Sequence, residues 1–146
     1  MAEKKISQLT AKGSNLETSD LLIISKSDGS GGYDSKYITG AELANVTIDT
    51  KTISYTVTLA DANKLIEINN ASANALGVPL NSTDAFPIGT QILVTQLGTG
   101  QTTITPTSGV TLRSSGGKLK IAAQYGIATL IKRATDEWYV AGDLTT

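Results

Sequence analysis

The strongest strand signal in the chain is GTQILVTQL, which occupies residues 89–97. Its Ile, Val and Thr content favours a pleated, half-buried strand. The turn GTG at residues 98–100 leads into a second strand-like run, QTTIT, at residues 101–105. A short glycine-containing turn between two such runs is typical of a β-hairpin. We therefore predict that residues 89–97 and 101–105 pair as antiparallel neighbours.

Short strand-like runs recur on both sides of this pair. From residue 46 onward, threonine-rich alternation is interrupted by turn residues at the spacing of an all-β sandwich or barrel. Further strands are predicted at residues 55–59, 64–68, 75–80, 110–112, 118–121, 128–132 and 137–140. No long helical periodicity separates them, which argues against an α/β sheet. The sequence thus predicts an all-β fold, with an antiparallel β-sandwich or barrel-like domain over residues 47–146.

The first 46 residues carry a different pattern and are predicted to form a separate module. LLIIS at residues 21–25 indicates a short buried strand, and residues 33–38 indicate a second strand after a glycine-rich turn. Thr39 and Glu42 have the spacing of a capping box, which predicts a short helix over residues 39–45. The oxygen-rich turn DGSGGYD at residues 28–34 lacks the distal Glu of a calcium loop, so we interpret it as a hairpin tip.

The residue types that are missing narrow the possible functions. The 146 residues include neither His nor Cys, so a Ser-His-Asp triad, a thiol nucleophile and a disulfide are all impossible. The formal net charge of −1 offers no basic field for nucleic acid, and no run approaches the roughly 20 apolar residues of a membrane span. We therefore expect no cofactor, no nucleic-acid partner and no membrane partner, for a protein made in a cytoplasm.

Aromatic residues are scarce, with one Trp, one Phe and five Tyr in the chain. The core must therefore be built from Val, Ile, Leu and Ala, which each bury less apolar surface than an aromatic ring. Small domains also bury a smaller share of their surface than large ones. We expect such a thin core to be completed by association with copies of the same chain.

Carboxylates are the remaining candidates for catalysis, because a glycosidase needs a pair of acids some 5–10 Å apart. The candidates in the larger domain are Asp61, Glu67, Asp84, Asp136, Glu137 and Asp143. Most lie at predicted strand ends or turns, where Asp accepts hydrogen bonds from the backbone and Glu is solvated. We expect them to be structural, and we predict neither a catalytic nor a metal site.

Three aromatic residues are candidate surface contacts. Trp138 and Tyr139 are adjacent in a predicted strand, so one must point into the core and the other outward. Trp138 is the larger apolar group and is the better candidate for core or subunit packing. Tyr125 precedes a glycine in a predicted loop, which makes it the better candidate for contact with a ligand.

At this level of detail the chain resembles a known family. KISQL at residues 5–9, TSDLLII at 18–24 and YITGAEL at 37–43 resemble the N-terminal attachment module of tailed-bacteriophage fibre and appendage proteins. YTVTLAD at residues 55–61, KLIEINNAS at 64–72, FPIGTQI at 86–92 and EWYVAGD at 137–143 are similar to the C-terminal β-domains of phage tail and head proteins. Together the two resemblances cover most of the chain.

The resemblance implies a homotrimeric virion protein with phage capsid or tail proteins as its partners. The attachment-like module runs almost directly into the β-domain, whereas a tail fibre has a long shaft between the two. That difference favours a capsid decoration protein or head fibre. The residues implied for docking are apolar and lie in the first module: Ile6, Leu9, Leu21, Leu22, Ile23 and Ile24.

Two alternatives to a purely structural role remain open. The first is a tail fibre or receptor-binding protein whose β-domain recognises host surface polysaccharide through Tyr125 and polar loop side chains. The second is a polysaccharide depolymerase that uses two carboxylates, for which so short a chain offers little room for a substrate groove.

Overall fold

The computed structural model describes residues 21–27, 33–39 and 45–146. Contacts along the backbone divide the chain between Asn45 and Val46 into two compact units, and each is described by itself. Among the described residues, no helix is long and apolar enough to cross a membrane.

The first unit contains two paired strands. β1 (Leu21–Ser27) and β2 (Tyr33–Thr39) are antiparallel, with Leu21 opposite Thr39 and Ser27 opposite Tyr33. Both strands were predicted from the sequence. The helix predicted over residues 39–45 falls largely on residues 40–44, and the docking candidates Ile6 and Leu9 fall in residues 1–20; both ranges lie outside the described residues.

The second unit consists of eleven strands and two short 3-10 turns. The strands are β3 (Ile48–Lys51), β4 (Tyr55–Thr56), β5 (Leu65–Ile68), β6 (Asn74–Val78), β7 (Gln91–Gln96), β8 (Thr102–Pro106), β9 (Thr111–Ser114), β10 (Lys120–Ile121), β11 (Ile127–Ala134), β12 (Glu137–Gly142) and β13 (Leu144–Thr145). The turns are Leu59–Asp61 and Ser115–Gly117. The strands form a six-stranded sheet in the order β3-β5-β7-β11-β12-β9 and a five-stranded sheet in the order β13-β10-β8-β6-β4.

The first six of these strands form three stacked coils. The chain runs from β3 to β4, from β5 to β6 and from β7 to β8, and each step leads from the six-stranded to the five-stranded sheet. Equivalent strands of successive coils are therefore parallel neighbours. The register places Leu65 beside Leu93 in one sheet and Leu76 beside Ile104 in the other.

The later strands turn this parallel stack into two mixed sheets. In the six-stranded sheet β11 pairs antiparallel with β7, β12 pairs antiparallel with β11, and β9 lies parallel to β12. In the five-stranded sheet β10 pairs antiparallel with β8 and β13 pairs antiparallel with β10. The all-β class predicted from the sequence is confirmed, but a purely antiparallel domain is wrong.

The predicted hairpin of residues 89–97 and 101–105 is also wrong. β7 and β8 lie in different sheets, and each pairs in parallel with the strand of the preceding coil. The turn between them packs on the turn of the coil before, because the amide of Gly98 donates to the carbonyl oxygen of Ile68 and the amide of Gly100 donates to that of Asn70, both at 2.9 Å. Gly98 and Gly100, which have no side chain, thus allow the backbones of two successive coils to come into contact.

The core closes within one chain between the two sheets. Fifteen buried apolar side chains form one cluster: Val57, Ile66, Ile68, Leu76, Val78, Phe86, Ile92, Val94, Ile104, Val110, Ile121, Ala128, Leu130, Trp138 and Val140. As predicted, aliphatic residues dominate it. Trp138 is the largest member and meets Phe86 edge to face, with ring centroids 5.3 Å apart. The inner faces of the sheets therefore form a contiguous core without a second copy.

A lysine side chain on β11 also points inward. Lys132 follows Ala128 and Leu130 on the inner face of β11 and is 2% exposed. Its Nζ donates to Oδ1 of Asn81 at 2.5 Å and lies 5.7 Å from the centroid of the Trp138 ring. Burial lowers the pKa of the Lys132 amine. This contact attaches the long connection between β6 and β7 to the sheet.

The stacked turns generate a stability prediction. A Cβ atom on Gly100 would lie 2.0 Å from the carbonyl oxygen of Ser72, which neither backbone can accommodate without shifting. We expect Gly100→Ala to lower the free energy of unfolding by about 2–3 kcal/mol, as overpacking of a close contact does. Denaturant unfolding followed by circular dichroism measures the change.

Gly117→Ala is the matched control, because Gly117 has φ +70° and open space around its Cβ position. That variant carries only left-handed backbone strain, about 1 kcal/mol. Equal losses in the two variants would contradict the importance of the stacked turns.

Candidate functional site

A shallow depression of about 580 Å³ lies where the loop after β10 meets the end of β12. It is lined by Ala122, Ala123, Gln124, Tyr125, Gly126, Gly142, Asp143 and Leu144. Concave surfaces of this kind, with an aromatic ring and a few polar groups, are the usual form of small-ligand sites. The depression is the candidate site of the second unit.

The loop that forms one wall is held by hydrogen bonds to the end of β7. The amide of Tyr125 donates to the carbonyl oxygen of Gln96 at 2.7 Å. The amide of Gln96 in turn donates to the carbonyl oxygen of Gly126 at 3.2 Å. Nε2 of Gln124 donates to the carbonyl oxygen of Leu97 at 2.9 Å. These bonds fix the backbone of the wall, so a ligand would meet a pre-formed surface.

Tyr125 stands out from this fixed loop. It has φ +67°, a left-handed conformation that costs a non-glycine residue about 1 kcal/mol. Its side chain is 69% exposed, so core packing does not compensate that cost. Strained residues held by their surroundings are concentrated at functional sites. The loop therefore presents an aromatic ring to solvent at the edge of the depression.

Asp143 supplies a carboxylate to the same depression. Its backbone is fixed on both sides, because its amide donates to the carbonyl oxygen of Ile127 and its own carbonyl accepts from the amide of Ala122, both at 2.9 Å. Within residues 45–146, the carboxylate has only a long contact, 3.5 Å, with the amide of Ile127. A carboxylate and an amide side chain beside an aromatic ring can bind a hydroxyl-rich ligand. With one carboxylate in its lining, the depression lacks the pair that glycoside hydrolysis requires.

The sequence predicted Tyr125 at this site but not Gln124 or Asp143. Gln124 could have been found from its position next to Tyr125 in the same loop. Asp143 lies between β12 and β13, and the pairings of β12 with β11 and of β13 with β10 bring it beside the loop. No local pattern in the sequence indicates the pairing of β13 with β10.

The other two predicted aromatic contacts, Trp138 and Tyr139, lie on opposite faces of β12, as strand alternation requires. Trp138 is 1% exposed and belongs to the core, so its candidacy as a surface contact is wrong within a single chain. Tyr139 is 46% exposed on the opposite face of β12. Its hydroxyl accepts a hydrogen bond from Nε of Arg133 at 2.8 Å, and the guanidinium lies 5.8 Å from the ring centroid.

The most buried carboxylate has a structural role. Asp61 is 1% exposed, and its Oδ2 accepts hydrogen bonds from the amide of Thr58 at 2.7 Å and from the hydroxyl of Tyr55 at 2.8 Å. The hydroxyl of Thr58 donates to the same oxygen at 3.1 Å. Asp61 thereby caps the 3-10 turn after β4.

The remaining acids are likewise engaged. Asp84 accepts from the amide of Leu59 at 3.0 Å, Asp136 from the amide of Asn81 at 2.6 Å, and Glu67 from the hydroxyl of Thr50 at 3.0 Å. Glu137 pairs with Arg113 and Arg133, and the hydrogen bond from Arg113, followed by that from Arg133, lowers the pKa of its carboxyl. Within residues 45–146 no group of three acids could hold a metal ion.

Tyr125→Gly tests whether the tyrosine is kept for the fold or for a ligand. Glycine adopts φ +67° without strain, and the exposed ring contributes little packing. We expect the variant to be as stable as the wild type or more stable by up to about 1 kcal/mol, measured by thermal unfolding. A loss of stability would show that the ring packs against the fold.

Comparisons with family models, with curated proteins and with solved structures gave no match to this chain. The motifs of the sequence and the geometry of the described residues therefore carry the functional proposal.

Proposed function

We propose that this chain is a non-enzymatic bacteriophage virion protein, a capsid decoration protein or head fibre. It docks on the particle through residues 1–46 and displays a trimeric β-domain formed by residues 47–146. The observation that carries the proposal is the division of the chain into two units, of which the second has a buried apolar core between its two sheets. Each unit also contains its own set of appendage-like motifs.

The strand pair of the first unit supports a docking role. Two antiparallel strands alone are at best marginally stable in water and need further strands or a packing partner. The sequence of β1 has four successive apolar residues, LLII at residues 21–24. Such a run is typical of a strand that is covered by other protein, and a particle surface is the cover that this proposal assigns.

The hydrogen bonds of the acids support the non-enzymatic part of the proposal. Asp61, Asp84 and Asp136 each accept a hydrogen bond from a backbone amide, and Glu137 pairs with two arginines. A depolymerase would need two carboxylates directed at one substrate bond. These acids instead hold turns and strand ends in place.

Removal of the first 46 residues tests the docking role. We expect the truncated chain to lose all binding to particles of its own phage, because the docking contacts are removed while the β-domain core is kept. Co-sedimentation with purified particles measures the binding, and a cooperative thermal transition shows that the truncated chain is folded.

The reciprocal control is a fusion of residues 1–46 to an unrelated soluble protein, which should bind to the particles. Undiminished binding of the folded truncated chain would reject docking through this module.

A second candidate function is recognition of host surface polysaccharide by the β-domain. It is favoured by the depression beside Tyr125, where an exposed ring, the Asp143 carboxylate and the Gln124 amide meet. Aromatic rings and polar side chains of this kind bind the apolar and hydroxyl faces of sugars.

A glycan array distinguishes this candidate from a purely structural role. If the β-domain binds a glycan, we expect selective retention of the full chain and an at least tenfold loss of affinity in Tyr125→Ala, since removal of one stacking ring costs about 1.4 kcal/mol or more. Ile88→Ala is the control, because Ile88 is exposed outside the depression. Equal retention of both variants would remove Tyr125 from the site.

A further inference from the structure

The outward faces of the two sheets differ in chemistry. The five-stranded sheet presents small, polar or charged residues: Thr56, Ala75, Gly77, Thr103, Thr105, Lys120 and Thr145. The outward positions of the six-stranded sheet include six large apolar residues, Ile48, Leu65, Leu93, Ile127, Ile131 and Tyr139, together with polar residues such as Thr50, Gln91, Thr95 and Thr129. We call the six apolar residues the apolar face.

The apolar face consists of two rows of neighbouring residues. Ile48, Leu65 and Leu93 are direct neighbours on the parallel strands β3, β5 and β7. Ile131 is paired with Tyr139 on the neighbouring strands β11 and β12. Leu93 is opposite Thr129 and Ile131 is opposite Gln91, so the two rows meet diagonally between Leu93 and Ile131.

This surface is not required by the core, which closes on the inner side of the same sheet. Parallel strands are nearly always covered on both faces, and large contiguous apolar patches mark interaction sites. Yet Ile48 is 59%, Ile127 44% and Ile131 37% exposed in the single chain. The six-stranded sheet is therefore built to be covered on its outer side.

We propose that a second copy of this chain covers the apolar face. The inference assigns the surface through which the β-domains of the proposed function associate. Only the number of copies, three, is taken from that proposed function. The charges that flank the face identify the occupant.

Opposite charges lie at opposite ends of the apolar face. Arg113 and Arg133 share the single carboxylate of Glu137 at the β9 and β12 side, which leaves a net charge of +1 in this group. Glu67 lies on β5 toward the other edge, and within residues 45–146 its side chain contacts the hydroxyl of Thr50 and pairs with no Lys or Arg. Two copies can therefore pair Glu67 of one with the arginine group of the next.

Such a contact joins two different ends of the same surface. When each copy places its Glu67 on the arginine group of the other, the contact is isologous and closes as a twofold pair, whereas head-to-tail contacts are heterologous and can close as a ring. Both arrangements cover the apolar face and pair the charges at its ends. The ring of three copies is the arrangement that agrees with the trimer in the proposed function.

The absence of Cys in the chain allows a direct test by cross-linking. Glu67→Cys and Arg133→Cys variants of the full chain are co-expressed and treated with a short bis-maleimide. We expect a covalent dimer in the mixture. The control is co-expression of the Thr103→Cys and Arg133→Cys variants. It should give no covalent dimer between the two variants, because Thr103 lies on the outward face of the other sheet. An oligomer without the Glu67 to Arg133 product would overturn the proposal.

Light scattering on the full chain gives the second measurement. Ile131→Lys places a charge in the apolar face and should reduce the molar mass from that of an oligomer to that of one chain. Thr103→Lys adds the same charge to the other sheet and should leave the oligomer intact. A wild-type monomer at micromolar concentration, or an unchanged mass in Ile131→Lys, would overturn the proposal.

Particle binding separates this inference from the proposed function. A wild-type monomer that still binds particles rejects the interface and leaves the docking role standing. An oligomer that gives the Glu67 to Arg133 product but does not bind particles supports the interface and rejects the virion role.

Discussion

The close packing of one turn on another is the contact on which the second unit depends. Residues 98–100 lie directly on residues 70–72, and the two glycines at 98 and 100 leave room only for backbone. This contact falls between β5 paired with β7 on one side and β6 paired with β8 on the other. It therefore fixes the register of both sheets at once. The inner faces can then bring Ile, Leu and Val side chains of successive coils into rows.

The strands could be predicted from the sequence, but their partners could not. Strand alternation is a local property, and residues 89–97 show the same alternation in a hairpin and in a coil. The choice between the two is made by contact with residues 70–72, far away in the chain. One local signal for the coil was present in the sequence. Ile92, Leu93 and Val94 are consecutive apolar residues, so both faces of the strand are apolar, which is typical of strands that are covered on both faces.

The candidate site was accessible to sequence reasoning only in part. Tyr125 could be selected because an aromatic residue in a loop has few structural reasons to be there, whereas Asp143 reaches the depression through the pairing of β13 with β10. Trp138 and Tyr139 illustrate the same limit. Alternation separates them, and burial then assigns Trp138 to the core and Tyr139 to the outward face. The expectation that a second copy completes the core was wrong, because the buried apolar side chains form one cluster within a single chain. Association of copies stays a prediction.

The coil topology also determines how such a domain can change in size. Each coil contributes one strand to each sheet, and its ends stand in register with those of the next coil, as Leu65 does with Leu93. Insertion of a whole coil would lengthen both sheets by one strand while the existing turns and the terminal strands β11 to β13 keep their neighbours. The number of strands in each sheet therefore changes in steps of one whole coil. A chain of this design can increase the distance between β3 and the loop that contains Tyr125 by duplication of a single repeat.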